Sequence, residues 1–295
     1  MQQLIERARV KEPHNWQLSF ITCEAVGGKL EEAVPAAAAI ACLQISILLI
    51  DDLLDEDPRG EYHKIGVAQT ANLAASFQAV GLDAIASSKT RPQTKLRILQ
   101  HLNQMLLTTA FGQYLDIHNP DNETDYWKLV QTKSTPFFQE AFYMGALLGQ
   151  ASDSVSTNMR QLGALYGEMI QIHDDINDVL AVPANPDWLM GRLPLPLLFT
   201  QVVDHPERER FLQLRAEITN PAALKEAQSI LIRCGAISYA VAHLIERHTQ
   251  VQKLLQATPI VNGQKLSELF QTVIAPVNRL LVQAGVDVPM TKVKL

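Results

Sequence analysis

The sequence is short of cysteine, aromatic residues and basic charge, and each shortage removes a class of protein. Its three cysteines, Cys23, Cys42 and Cys234, stand far apart with no paired spacing. That argues against a disulfide framework or a thiolate zinc site and fits a reducing, cytoplasmic setting. Aromatic residues make up 6% of the 295 residues, alanine and leucine abound, and β-branched residues rarely alternate with polar ones. A sheet has little material here, so the expectation is an all-α fold. The net charge is -6 with no basic stripe, which makes nucleic acid a poor partner. The opening "MQQLIERARVKEPHNW" has mixed charge and no apolar signal core, so no export is expected. The most apolar stretch, Ala33 to Ile50, contains Pro35, Gln44 and Ser46 and ends on two aspartates. A buried core helix is expected there rather than a transmembrane segment.

What is present is helical periodicity, broken at short intervals. Leu96, Leu99, Leu102, Leu106 and Ala110 recur at helical spacing, and Pro92–Ile117, Asp125–Gln150 and Asn158–Leu180 read as long helices. Breaks are expected at "DEDPRG", "SSKTRP", "HNPDNETD", "PANPDW" and "DHPERE", each rich in turn and cap residues. No repeat or long linker interrupts the pattern, so residues 1–295 read as a single helical domain.

Two acidic triplets stand out. "LLIDDLLDED" places Asp51, Asp52 and Asp55 after an apolar run, and "QIHDDINDVL" repeats the spacing with Asp174, Asp175 and Asp178. On a helix, positions i and i+4 share a face and i+1 flanks them. Carboxylates so crowded repel one another unless a cation compensates. Oxygen-only ligands select a hard ion, and Mg²⁺ characteristically joins one or two carboxylates to a substrate phosphate. A single triplet is more often a solvated helix end. Two with the same spacing shift the balance to several Mg²⁺ ions around one diphosphate.

With these motifs the chain resembles the trans-isoprenyl diphosphate synthases, whose all-helical fold is shared with class I terpene synthases. The resemblance runs from about Gly27 to Leu198. "DDLLD" and "DDIND" match the family's two aspartate-rich motifs. "AVGGKLE" stands where the family has Gly-Gly-Lys-Arg, and "FGQYLDI" matches its Gly-Gln-x-Leu-Asp segment. "QTKST", "GEMIQIHDD" and "GRLPLPLL" match its Lys-Thr pair, its glutamine-bearing helix and its Gly-Lys-x-Thr-Leu-Pro region. The resemblance implies a single-domain helical bundle of the isoprenoid synthase type with a central cavity, and homodimers. It implies Mg²⁺ ligation by Asp51, Asp55 and Asp174, with Asp52, Asp175 and Asp178 as further ligands or supports. Lys133 and Arg192 would contact the allylic diphosphate, and Gln171 would lie beside the reacting carbons. Lys29 and Arg59 would hold the second substrate, isopentenyl diphosphate. The hydrocarbon tail would run past Ile47, Ser46 and Leu43, where no aromatic plug stands. Phe137, Phe138, Phe142 and Tyr143 read as helix core.

The departures bear on the reaction. Leu30, Glu31 and Glu32 follow Lys29 where arginines are usual, Gln44 replaces a histidine, and the arginine pair after the first motif shrinks to Pro58-Arg59. Lys11, His63 and Lys64 are the nearby basic substitutes. The resemblance therefore implies a prenyltransferase that ionises an allylic prenyl diphosphate and extends it with isopentenyl diphosphate to C20 or longer. The rivals are a terpene synthase or unusual prenyltransferase that does without isopentenyl diphosphate, and a non-catalytic partner subunit, against which two intact triplets speak.

Overall fold

The computed structural model describes residues 15–283, and among these every regular element is helical. After a single 3₁₀ turn, Asn15–Gln17, the chain runs through α1 (Leu18–Ala25), α2 (Leu30–Leu54), α3 (Tyr62–Ile65) and α4 (Val67–Ala86). Then come α5 (Pro92–Asp116), α6 (Glu123–Lys133), α7 (Thr135–Leu148) and α8 (Asp153–Leu180). The short α9 (Pro186–Leu189), α10 (Leu195–Val202) and α11 (Arg208–Arg215) lead to α12 (Pro221–Arg233), α13 (Ala236–Ala257) and α14 (Gln264–Gln283). Helix starts follow side-chain capping. Asn122 accepts the Asp125 N–H at 3.0 Å ahead of α6, and Ser152 opens α8. Pro92 opens α5 at the position where its missing N–H is harmless.

The expected helix over Asp125–Gln150 is two helices. Pro136 cannot donate to the carbonyl four residues back, and its ring clashes there, so the chain breaks at Ser134. The break matters: it sets Lys133 at a helix end and Ser134 on a cavity wall.

The main core lies where α1, α2, α5, α7, α8, α13 and α14 meet, around Ile40, Leu102, Phe142, Met159 and Phe270. A smaller core joins α9 to α12 and holds Trp188, Leu197, Phe211 and Ile230. Helix α2 is long and apolar enough to cross a membrane, but half of its most apolar window is buried against other helices. It packs along α4, as the sequence led one to expect of a core helix. Close crossings need glycine. A Cβ on Gly145 would sit 2.4 Å from the Ser19 carbonyl oxygen, so α7 meets α1 almost backbone to backbone.

Candidate active site

Both long helices that carry the triplets end at one cavity of about 460 Å³. From α2 its wall takes Gln44, Ile47, Leu48, Asp51 and Asp55, which share one helix face. From α8 it takes Gln171, Asp174 and Asp178, again at i, i+3 and i+7. Neither helix has a basic residue in its last turn. The carboxylates therefore add to the negative end of each helix dipole, a placement that is unfavourable without cations opposite.

Two such cations are built in. Lys133 Nζ lies 3.0 Å from Asp51 and 2.5 Å from Asp116. Arg192 pairs with Asp55 and, 3.1 Å away, with the same Asp116. Burial works against the Lys133 charge, but Asp51 and Asp116 outweigh it and raise its pKa. Asp116 thus joins the two basic groups at the end of α5, and Gln113, one turn earlier, donates to Asp51 at 2.8 Å. The wall still carries more acid than base: Asp51, Asp55, Asp57, Asp174, Asp178 and Asp187 against Arg59, Lys133 and Arg192. Burial, then the charges of Asp187, Asp174 and Asp175, push Asp178 up to about 6. Burial also lifts Asp55 and Asp187 above the usual carboxylate value, although Arg192 pulls each down.

The acidic oxygens fit a hard divalent cation. Among the described residues no three His, Cys, Asp or Glu side chains already form a metal cage.

The raised Asp178 has a stability consequence. A carboxyl whose folded pKa exceeds its unfolded value contributes most below the unfolded pKa, near 3.8, and loses that contribution as pH rises through about 6. With chelator present, Asp178→Asn should therefore melt higher than wild type at pH 7.5. The gain is about 1 kcal/mol after discounting for its half-exposed position, and it should vanish near pH 4. Melting curves at the two pH values check it.

Several sequence expectations land elsewhere. Asp175, one position after Asp174, is rotated about 100° away from the cavity. It is buried and its two oxygens take three donors: Tyr126 Oη at 2.7 Å, the Leu195 N–H at 2.7 Å and Gln171 Nε2 at 2.8 Å. As placed, it braces the wall and does not present a free ligand. Asp52 likewise lies off the cavity wall. Lys29 is displaced furthest. It caps the N-terminus of α2, exposed, with its N–H bound to Glu32 at 3.1 Å. Asp51 lies 22 residues on in the same unbroken helix, roughly 33 Å away at the α-helical rise. With that length of helix between them Lys29 does not line the cavity, so its expected contact with a second diphosphate there is corrected. Arg59 remains on the wall, held by Asp57 at 2.8 Å. Lys11 lies outside the described residues.

The aromatic expectation holds and gains a detail: Phe137, Phe138, Phe142 and Tyr143 are all buried, and Phe137 and Phe138 also border the cavity from α7. The tail-path residues divide. Ile47 is on the wall, whereas Leu43 and Ser46 are fully buried off it, and the Ser46 hydroxyl has no hydrogen-bond partner among the described residues. Sequence reasoning gave no role to Asp116, Asp187 or Asn185, whose amide donates to Asp178 at 2.6 Å. Asp116 and Gln113 sat inside the quoted "FGQYLDI", while Asp187 and Asn185 were hidden in what read as a mere break.

A model of the polyprenyl synthetases matches residues 16–231. The chain belongs to that family. As a polyprenyl synthetase it is 26% identical over 236 residues to geranylgeranyl diphosphate synthase of Methanosarcina mazei, covering 75% of this chain and 71% of that protein. It is 24% identical over 267 residues to geranylfarnesyl diphosphate synthase of Aeropyrum pernix, covering 84% and 83%. The crystal structure of a Caulobacter crescentus polyprenyl synthase complexed with calcium and isoprenyl diphosphate superposes with a TM-score of 0.80. There the identity is 19%, over 92% of this chain and 88% of that one, which shows the shared fold. This polyprenyl synthetase is an enzyme of the prenyltransferase type with the all-helical fold of its family.

Proposed function

We propose that the chain is a Mg²⁺-dependent trans-prenyl diphosphate synthase that extends an allylic diphosphate with isopentenyl diphosphate to C20 or longer. The observation that carries this is the meeting of two acidic helix ends at one cavity that Ile47, Leu48, Phe137 and Phe138 also line. Its relatives named for C20 and longer products support the product class. Asp51, Asp55, Asp174 and Asp178 would hold the metal. Bound there, Mg²⁺ would supply charge stabilisation for the departing diphosphate. Lys133 and Arg192 would leave their carboxylate partners for the phosphate oxygens, and Asp116 would keep both within reach. The ring faces of Phe137 and Phe138 and the Gln171 amide would face the allylic cation and keep the floor dry. Arg59, with Gln44 and Asn15 on the same wall, would receive isopentenyl diphosphate.

The tail would continue from Ile47 toward Ser46 and Leu43. The buried hydroxyls of Ser46 and Thr109, unpartnered among the described residues, support that direction, since such groups call for a partner such as water or ligand. Ser46→Phe should shorten the longest product, read by chromatography of dephosphorylated extracts. An unchanged product length would contradict the path.

The proposal takes residues 1–295 as one catalytic domain in the cytoplasm, working as a homodimer. An exposed apolar row on α5, Leu107, Phe111 and Tyr114, supports a second copy. Incubation with Mg²⁺ and an allylic diphosphate, with and without isopentenyl diphosphate, tests the reaction. Longer diphosphates formed only when isopentenyl diphosphate is present are expected. Hydrocarbons or alcohols formed in its absence, or no turnover at all, would overturn the proposal.

A further inference from the structure

Gln171 is the one neutral polar side chain from α8 on the cavity wall, and its amide has two possible orientations with opposite consequences. With the oxygen toward the cavity, the negative end of the dipole faces a developing cation. With the NH₂ there, the positive end does. Amide orientation is set by neighbours, and here the neighbour that decides it is Asp175. Gln171 Nε2 donates to Asp175 Oδ1 at 2.8 Å, and an ionised carboxylate can only accept. Gln171 Oε1 is thereby turned to the other side, where Ser134 Oγ donates to it at 2.6 Å. Ser134 and Gln171 line the main cavity, whereas Asp175 does not and instead lines, with Tyr126, a smaller side pocket of about 100 Å³. The nitrogen end therefore points to the side-pocket wall and the oxygen end toward the main cavity.

Asp175 can impose this only if its own plane is fixed, because the terminal torsion of an aspartate is soft. Two donors fix it from other elements. Tyr126, 3% exposed on α6, gives its hydroxyl proton to Oδ2, and the Leu195 N–H at the start of α10 binds the same oxygen. The Tyr126 hydroxyl is the side-chain half of that clamp. Resting on the function proposed above, we infer that Tyr126 is a positioning residue: through Asp175 it holds the Gln171 amide with its oxygen toward the reacting carbons.

The test reads the amide directly and the reaction separately. In protein with ¹⁵N-labelled glutamine side chains, the Gln171 NH₂ signal is identified by its loss in Gln171→Leu. In wild type it should exchange slowly with solvent, and Tyr126→Phe should speed that exchange roughly tenfold while moving the signal, as expected when one member of a hydrogen-bonded chain is removed. In kinetics, Tyr126→Phe should lower kcat about tenfold with allylic KM within about twofold, the mark of an interaction made in the transition state. On a Gln171→Leu background the same change should cost less than about twofold, because the two residues act as one unit. An undisturbed amide signal in Tyr126→Phe overturns the inference. So do losses that multiply across the two variants, which would make Tyr126 a packing residue. The amide signal needs no turnover, so a wild type that fails to elongate counts against the proposed function alone.

Discussion

Asp51→Asn and Asp174→Asn should each retain about a thousandth of wild-type turnover, the loss typical of removing one preorganised electrostatic group from a reaction centre. Asparagine keeps the shape and removes the charge, so the effect isolates what the carboxylate does. The two residues come from different helices, α2 and α8, and both lie on the cavity wall. The double variant should lose little more than either single one, because groups that act together on one leaving group are far from additive. Steady-state kinetics with saturating Mg²⁺ checks this. If the two losses multiplied, the aspartates would be serving separate tasks.

Gly112→Ala should be nearly as damaging from outside the cavity. A Cβ there would stand 2.4 Å from the Lys133 backbone nitrogen and 2.5 Å from the Thr132 carbonyl carbon. Backbone cannot swing aside as a side chain can, so α5 and α6 must part. A loss of about 3 kcal/mol in stability is expected, the upper end for an overpacked contact. The same crossing sets Gln113 and Asp116 of α5 against Asp51 and Lys133. Shifting it should also lower kcat about a hundredfold, the usual penalty for a misplacement near 1 Å. Thermal melts and kinetics together check both halves. A variant that melted and turned over as wild type does would show that the crossing does not position Lys133.

The fold was legible where periodicity was long and unbroken. Helix α5 begins at Pro92, where proline favours a first turn, and ends within a residue of the expected boundary. The break at Ser134 was missed although Pro136 announces it, because apolar periodicity on both sides concealed it. At the site, the spacing of Asp51 and Asp55, and of Asp174 and Asp178, conveyed which carboxylates share a face. It did not distinguish Asp175, whose identity matches Asp174 but whose position a third of a turn away buries it among donors. Lys29 failed for another reason. A motif match carries no distance, and the unbroken α2 places the whole helix length between it and Asp51. Asp116 escaped because its importance is relational: it acts by joining Lys133 and Arg192, which lie 17 and 76 positions on.

The most direct measurement is calorimetric titration of Mg²⁺ into the protein with and without inorganic pyrophosphate, repeated in Asp51→Asn and Asp174→Asn. Mg²⁺ should bind tightly only when pyrophosphate is present, and either substitution should abolish that binding. Pyrophosphate-dependent Mg²⁺ binding that survives in both variants would contradict the account, because the two helix ends would then not share the ligand.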